Sequence, residues 1–281
     1  MKKNVLTILI TLALSIIVAY LFYTRKEGTI RQELKDFAVE DTSIITKIFL
    51  VNMANNQITL EKTKQGYWTV NGKYKARKDL VNVLLKTMKN LRVKDPVARS
   101  SRENVIKRLA TGAVKVEIYQ NNNEEPAKVY YIGGATQNQM GTYMLLENSS
   151  DPFIMGLPYF SGYLSMRYNT DEFEWRDKTI FNYQFKDIAG ITVEYPQDPA
   201  YSFEITNTGN WNYKLRLLQN DELIANYDTT NLKIYLAYFQ NIQFEGFVRK
   251  IDEAYRDSIV SYPPVSIMTV SDMSGRTTTL R

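Results

Sequence analysis

The same order of secondary-structure signals occurs twice in this chain of 281 residues, and this repetition limits the possible folds more than any other feature. In each half, segments with strand-like alternation precede an amphipathic helix and a further strand. The helices share an apolar stripe, Leu85, Met88 and Leu91 in the first half and Leu236, Phe239 and Ile242 in the second. An alternating strand follows each stripe at the same distance, beginning at Val114 or at Val265. The sequence therefore predicts an α+β fold with two tandem repeats, each a mixed sheet with a helix.

The repetition also predicts the division of the chain. We expect a transmembrane anchor at 1–26, a stalk or linker at 27–43, a first α+β repeat at 44–150, an aromatic-rich connector at 151–186 and a second repeat at 187–281. Trp68 and Trp211 should occupy equivalent positions, and Ser100 or Ser101 should cap a second short helix in the first repeat. The second repeat has no counterpart of the glycine turn and strand at Gly133–Leu146, so we expect it to be truncated.

The N-terminal run Val5–Tyr23 is uncharged and dominated by Leu, Ile, Val and Ala. At about 1.5 Å per residue it nearly spans a hydrocarbon core of about 30 Å. A cleaved signal peptide is the alternative, but its apolar region should be shorter and end at a small-residue cleavage site. We therefore expect an uncleaved anchor with the body outside the cytoplasm, followed by a short stalk helix with Ile30, Leu34 and Phe37 at helical spacing.

The composition excludes several chemistries. The chain has 0 His and 0 Cys, so imidazole bases, thiolate nucleophiles, disulfides and the usual zinc and iron–sulfur ligands are ruled out. The net charge of +5 is concentrated in the first 26 residues, which carry Lys2, Lys3, Arg25 and Lys26 and no acid. The rest of the chain is close to neutral, which disfavours a nucleic-acid surface. We expect no metal, cofactor or catalytic residue.

The connector holds the candidate binding residues. Aromatic rings with nearby arginines are typical of interface anchors. The candidates are Tyr159, Phe160, Tyr163, Arg167, Trp175 and Arg176. These rings could bind a partner or a sugar, or they could join the two repeats. The second interpretation predicts that Trp175 and Phe181 are buried, with Tyr163 and Arg167 nearer the surface.

Two other motifs have structural and functional interpretations. Gly133-Gly134-Ala135-Thr136 could form a phosphate cradle, but no Lys-Ser/Thr pair or helix signal follows it, so a strand-to-strand turn is expected. An acidic cluster could hold calcium or act as a carboxylate pair, but it lacks the spacing of a calcium loop. Its members are Asp171, Glu172, Glu174 and Asp177. We expect them to be solvated charges that pair with Arg167 and Arg176.

Several short motifs together resemble domain-of-unknown-function family 4340. They are Trp68-Thr69-Val70-Asn71-Gly72-Lys73-Tyr74, Lys115-Val116-Glu117-Ile118-Tyr119, Gly133-Gly134-Ala135-Thr136, Gly141-Thr142-Tyr143-Met144-Leu145, Gly162-Tyr163-Leu164 and Trp175-Arg176-Asp177. The resemblance implies a bacterial envelope protein with one N-terminal helix, and a related domain occurs in the auxiliary subunit of gliding-associated ABC transporters. It implies no catalytic residue.

These observations predict a non-enzymatic binding or scaffold protein. It would be anchored in the inner membrane through Val5–Tyr23, with its body in the periplasm, and would bind an envelope protein, as an accessory to an ABC-type transport or gliding assembly. The alternative is a glycan- or peptidoglycan-binding or processing protein that uses the connector aromatics and carboxylates.

Overall fold

A computed structural model describes residues 12–16, which are helical, and residues 36–281. The described residues form two compact units, with the boundary between Asp177 and Lys178. The predicted anchor lies outside the described residues except for 12–16, and so does most of the predicted stalk helix. Within the part of the chain that is described, no helix is both long enough and apolar enough to span a membrane.

The first unit contains a nine-stranded sheet in the order β4-β3-β2-β1-β6-β7-β8-β9-β5. Its strands are β1 Ile45–Asn52, β2 Gln57–Lys62, β3 Trp68–Val70, β4 Tyr74–Lys75, β5 Arg92–Pro96, β6 Val114–Gln120, β7 Lys128–Ala135, β8 Thr142–Leu146 and β9 Phe153–Gly156. Every pairing is antiparallel, so the predicted mixed sheet is wrong. Most neighbouring strands follow one another along the chain, and their short connections permit only antiparallel pairing.

Two helices cover opposite faces of this sheet. Helix α1, Lys78–Asn90, buries Val81, Leu84 and Met88 in the main core. Helix α2, Arg99–Gly112, instead packs on the outward residues of β7 and β8 through Val105 and Leu109. Successive side chains of a strand point to opposite faces, which explains how β7 and β8 serve both cores.

The start of α2 differs from the prediction. Its N-cap position is Ala98, and no side chain caps the helix. Ser100 and Ser101 therefore lie inside the first turn and cap nothing. The prediction also placed Phe37 in a stalk, but Phe37 and Val39 are buried in the main core of the first unit.

The chain segment after β9 completes the first unit. It forms a short 3₁₀ helix, Ser165–Tyr168, and the single-turn helix α3, Glu172–Trp175. Asp177 N donates to Lys75 O at 2.8 Å, and Arg176 forms a bridge to Ala76. This segment therefore returns to β4 before the unit ends.

The second unit contains a six-stranded sheet in the order β14-β13-β12-β11-β16-β17. The strands of this unit are β10 Thr179–Phe181, β11 Ile188–Glu194, β12 Phe203–Gly209, β13 Asn212–Leu217, β14 Glu222–Ile224, β15 Ile242–Gln243, β16 Ile267–Asp272 and β17 Thr277–Leu280. Its α-helices are α4 Thr229–Ala237 and α5 Glu253–Ser261. Strands β10 and β15 pair separately from the six-stranded sheet. Leu232 and Leu236 of α4 are buried in the core of this unit.

The six strands of the second sheet, β14-β13-β12-β11-β16-β17, follow the same order as six neighbouring strands of the first sheet, β4-β3-β2-β1-β6-β7. The ladder Ile48, Leu60 and Val70 of the first sheet corresponds to Ile191, Ile205 and Leu215 of the second. The irregularity between Ile45 and Lys47 in the pairing of β1 with β6 recurs between Ile188 and Gly190 in the pairing of β11 with β16.

This register corrects one expected match. Trp68 pairs with Lys62 in the first sheet, and the equivalent pair in the second is Tyr213 with Asn207. The predicted equivalence of Trp68 with Trp211 is therefore wrong by two residues. Sequence similarity alone had aligned two tryptophans that lie at different points of their hairpins.

Candidate functional site

The aromatic residues of the predicted connector belong to two separate cores. Tyr168 and Trp175 are buried in the main core of the first unit, and Phe181 and Tyr183 are buried in the core of the second. The expected burial is confirmed for Trp175, which is 2% exposed, and for Phe181, which is 1% exposed. Residues 151–186 thus divide between the units and do not form a separate element.

Trp175 is held by both its ring and its backbone. Its Nε1 donates to Asn169 O at 2.7 Å, and its carbonyl oxygen accepts from Arg77 N at 2.8 Å. These bonds join α3 to the residues before it and to the start of α1. Trp175 is a structural residue of the first unit and is not available to a ligand.

Arg167 lies in the 3₁₀ helix and contacts α1. Its Nη1 donates to the buried Thr87 Oγ1 at 2.8 Å, and its guanidinium lies 4.6 Å from the centre of the Phe160 ring. Arg167 and Phe160 are half-buried by these contacts. We expected Arg167 to pair with the acidic cluster. It instead contacts the Thr87 hydroxyl and the Phe160 ring, because the 3₁₀ helix packs on α1.

Arg176 and the acidic cluster stabilise the end of the first unit. The Arg176 guanidinium lies 3.7 Å from the centre of the Tyr74 ring and 3.8 Å from Glu172. Asp171 caps α3 by accepting from the Phe173 amide, and Asp177 pairs with Lys75 at 3.2 Å. In residues 12–16 and 36–281, no group of three or more acidic side chains is arranged to hold a metal ion.

The remaining candidates lie nearer the surface. Tyr159 is fully exposed and has a left-handed backbone, with φ of 59°. Tyr163 is half-buried, and its hydroxyl donates to Met166 Sδ at 3.4 Å. Tyr163 also lines a cleft.

This cleft, with a volume of about 670 Å³, lies between α2 and the turn that joins β7 to β8. Helix α2 contributes residues at i, i+3, i+4 and i+7, which share one face of a helix. These are Ser101, Asn104, Val105 and Arg108. Val105 points inward to the small core under α2, so the polar members form the wall of the cleft.

The opposite wall is a turn with a fixed conformation. Thr136 N donates to Gly141 O at 2.9 Å, and Gly141 N donates to Thr136 Oγ1 at 3.1 Å. Lys94 lies outside the cleft, and its Nζ donates to Met140 O with a donor–acceptor distance of 2.7 Å. The turn presents Gln137 and Gln139 to the cleft. Gly133-Gly134-Ala135-Thr136 thus leads from β7 into a strand-to-strand turn, as predicted.

The two glycines at the end of β7 position α2. A Cβ atom on Gly133 would lie 2.6 Å from Leu109 Cδ2, whereas one on Gly134 would lie 3.9 Å from Arg108 Nη2, its nearest neighbour. Gly133 therefore lets α2 approach the sheet closely, and Gly134 leaves space below the Arg108 side chain.

The cleft supplies hydrogen-bonding groups and one positive charge. Its polar groups are the hydroxyls of Ser101, Tyr143 and Tyr163, the amides of Asn104, Gln137 and Gln139, and the guanidinium of Arg108. Arg108 lies 6.0 Å from the centre of the Tyr143 ring and has no carboxylate partner among the described residues. None of the ten side chains that line the cleft is a carboxylate. The arrangement suits a polar ligand or a peptide segment.

Of the residues that line this cleft, the sequence analysis named Tyr163 as a binding candidate and weighed Ala135 and Thr136 as part of a phosphate cradle, but it gave the others no binding role. Ser101, Asn104 and Arg108 are spaced so that they share one face of a helix, and this pattern could have predicted the polar wall that α2 contributes. The approach of the β7–β8 turn to that wall is a long-range contact, which no local pattern encodes.

A separate polar network lies on the first sheet. Lys115 Nζ lies 3.0 Å from Glu117 and 3.2 Å from Glu147, and the Tyr119 hydroxyl donates to Glu117 at 2.5 Å. Burial raises the pKa of Glu117, but hydrogen bonds from Tyr119 and Lys115 outweigh it, so the pKa of Glu117 is below its ordinary value. Burial is the largest cause that raises the pKa of Tyr119 to about 12, and the hydrogen bond to Glu117 is the next largest. These groups satisfy one another and contribute to stability.

The fold and cleft define an α+β protein with a nine-stranded and a six-stranded antiparallel sheet, a separate two-stranded pair, and a polar cleft on the first unit. The family model for Domain of unknown function (DUF4340) matches residues 67–258, more than half of the chain. The chain belongs to this family, which confirms the family resemblance of its motifs. No curated protein and no solved structure matches it.

Proposed function

We propose that this protein is a non-enzymatic binding or scaffold protein of the bacterial envelope, and that the cleft between α2 and the β7–β8 turn is its binding site. The cleft carries the proposal because its volume of about 670 Å³ is in the usual range for ligand sites. The fixed turn and helix face hold the polar groups in place before a ligand binds, which reduces the entropy cost of binding.

Three of the four carboxylates in the acidic cluster have structural roles. Asp171 caps a helix, and Glu172 and Asp177 form ion pairs. General acid–base chemistry requires a titratable group aimed at the reacting atoms. The cleft lining offers amides, hydroxyls and a guanidinium instead, which supports binding over hydrolysis.

We further propose that Val5–Tyr23 anchors the chain in the inner membrane, with both units in the periplasm. The length and apolarity of this run support the anchor. The family resemblance supports an accessory role beside an ABC-type transport or gliding assembly. N-terminal sequencing of the mature protein should begin within residues 1–4, and a start near Thr24–Gly28 would mean that the anchor is cleaved.

We also propose that the two units arose by internal duplication. The shared strand order, the matched ladders and the irregularity at the same point of both sheets support it. A hydrogen bond that occurs at the same point of both units also supports duplication: Thr63 Oγ1 donates to Tyr67 O in the first unit, and Thr208 Oγ1 donates to Asn212 O in the second. Superposition of experimental structures of the two units should align β1 with β11 and α1 with α4.

The alternative function is binding or processing of a glycan or peptidoglycan. Tyr143 and Tyr163 favour it, since phenol rings beside amide groups can contact both the apolar and the polar parts of a sugar. In this case the cleft would hold a saccharide instead of a protein segment.

Site-specific photo-cross-linking in the full-length protein tests both versions. A photoreactive residue at Gln137, in the cleft, should capture a specific partner, and Arg108→Ala should abolish the capture. The same photoreactive residue at the exposed Glu124, in the turn between β6 and β7, is the matched control. Equal products from both positions would contradict a site in the cleft. A saccharide in place of a protein in the adduct would select the alternative.

A further inference from the structure

The carboxamide side chains of the cleft have unused hydrogen-bonding capacity. Asn104 lines the cleft from α2, and Gln137 and Gln139 line it from the β7–β8 turn. All three side chains are exposed, and none of them has a hydrogen-bond partner among the described residues. A carboxamide carries both a donor and an acceptor, as a peptide group does. These groups therefore suit the main chain of a bound polypeptide.

Helix α2 carries an excess of positive charge. Its charged residues are four cations and one acid, namely Arg99, Arg102, Lys107, Arg108 and Glu103. Lys107 pairs with Glu103 at 2.8 Å, and Arg102 pairs with Asp151 at 3.0 Å. Arg99 and Arg108 have no ion pair in the described part of the chain, and of these two only Arg108 lines the cleft. The cleft therefore holds one positive charge without a counter-charge.

The contacts of Arg108 leave its N–H groups available. Its guanidinium lies 6.0 Å from the centre of the Tyr143 ring, and a Cβ atom added to Gly134 would lie 3.9 Å from its Nη2. A guanidinium presents its donors in a planar fork that matches the two oxygens of a carboxylate. One guanidinium balances the single charge of a carboxylate, whereas a phosphate group carries up to two charges. The geometry therefore favours a ligand with a carboxylate.

A second depression adjoins the cleft at the β7–β8 turn. Its volume is about 500 Å³, and it shares Thr136, Gln137 and Tyr143 with the cleft. It is bounded by Lys94 and Asp95 of β5 instead of α2. An extended chain can pass over the turn from one depression to the other, whereas a compact ligand would occupy one of them. The shape therefore favours an extended ligand.

We propose that the cleft binds an extended acidic segment of a partner protein, in which a carboxylate pairs with Arg108 and the main chain bonds to the carboxamides of the cleft. This inference rests on the proposed function of the cleft as a binding site and adds the chemistry of its ligand.

The test is a titration of the full-length protein in detergent with two capped hexapeptides. One alternates glycine with glutamate, and the other alternates glycine with glutamine. NMR signals of the amides of Gly134 and Gly141, in protein labelled with ¹⁵N-glycine, report binding at the cleft, and Gly209 in the second unit is the reference that should not shift. The acidic peptide should bind about three- to tenfold more tightly than the neutral one. Arg108→Gln should remove this preference, and Arg108→Lys should retain part of it because the charge remains without the planar fork.

Arg99→Gln is the matched control, because Arg99 is an exposed arginine of the same helix that does not line the cleft. It should leave the preference for the acidic peptide unchanged. Equal effects of Arg99→Gln and Arg108→Gln, or equal affinity of the wild type for both peptides, would overturn the proposal. Tighter binding of a phosphoserine peptide than of the glutamate peptide would also overturn it. If a photoreactive residue at Gln137 still captured a specific partner in any of these cases, the cleft would remain a binding site and only the acidic ligand would be rejected.

Discussion

Replacing Trp175 by alanine tests the account of the predicted connector most directly. The ring is 2% exposed and belongs to the main core of the first unit. Its Nε1 donates to Asn169 O at 2.7 Å, which fixes its orientation. The variant therefore removes a large buried ring and one hydrogen bond together.

The loss of packing dominates the expected cost. Removal of a buried tryptophan typically destabilises a protein by about 3–5 kcal/mol, because the cavity does not fully collapse. The lost hydrogen bond adds about 1 kcal/mol, a modest amount because Asn169 is exposed and its carbonyl can bond to water. For a unit of this size the melting temperature should fall by about 10–20 °C.

The assay is thermal unfolding of the full-length variant, combined with hydrogen exchange to locate the change. Exchange protection should fall in the first unit and remain in the second, because each unit has its own core. Trp175→Phe is the matched control, which keeps most of the ring and should cost about 1–2 kcal/mol. An unchanged melting curve for Trp175→Ala would refute the structural role and favour a binding surface.

Four further substitutions test other parts of the first unit. Arg167→Ala should cost about 1–2 kcal/mol in urea unfolding, because it removes the charged hydrogen-bond donor to the buried Thr87 hydroxyl, which keeps its bond to Val83 O. Glu117→Gln should reduce stability at pH 7. The difference from wild type should shrink as the pH falls below about 4, because a carboxylate with a lowered pKa stabilises the fold only while it is ionised. Gly133→Ala should cost about 1–3 kcal/mol in unfolding experiments by displacing α2, whereas Gly134→Ala should change stability by less than about 0.5 kcal/mol.

Local patterns predicted the elements of the first unit well. For example, the residues of Ile45–Val51 and Gln57–Lys62 are typical of strands, and the structure has strands at Ile45–Asn52 and Gln57–Lys62. The Asn71-Gly72 pair is typical of a tight hairpin turn. It lies between the paired strands β3 and β4, and both residues have the positive φ that such a turn requires. These features depend on side-chain alternation and turn chemistry, which are properties of neighbouring residues.

Features that depend on distant residues were not predictable in this way. The pairing of β5 with β9 joins segments separated by more than fifty residues, and neither alternates clearly enough to identify its partner. The small core under α2 is a second example, because it needs the outward side chains of β7 and β8 to be apolar as well. The cleft depends on the second of these features, because α2 forms one of its walls. The local patterns therefore directed the search for a site to the connector instead.

The comparison of the two units indicates where function should be sought. Shared features, such as strand order and the irregularity in the pairing of β1 with β6 and of β11 with β16, are explained by the need to fold a common sheet. Features that differ need another explanation. One such feature in the first unit is the polar face of α2, which lines the cleft. A polar helix face does not stabilise the core beneath it, and for this reason we propose the cleft as the binding site.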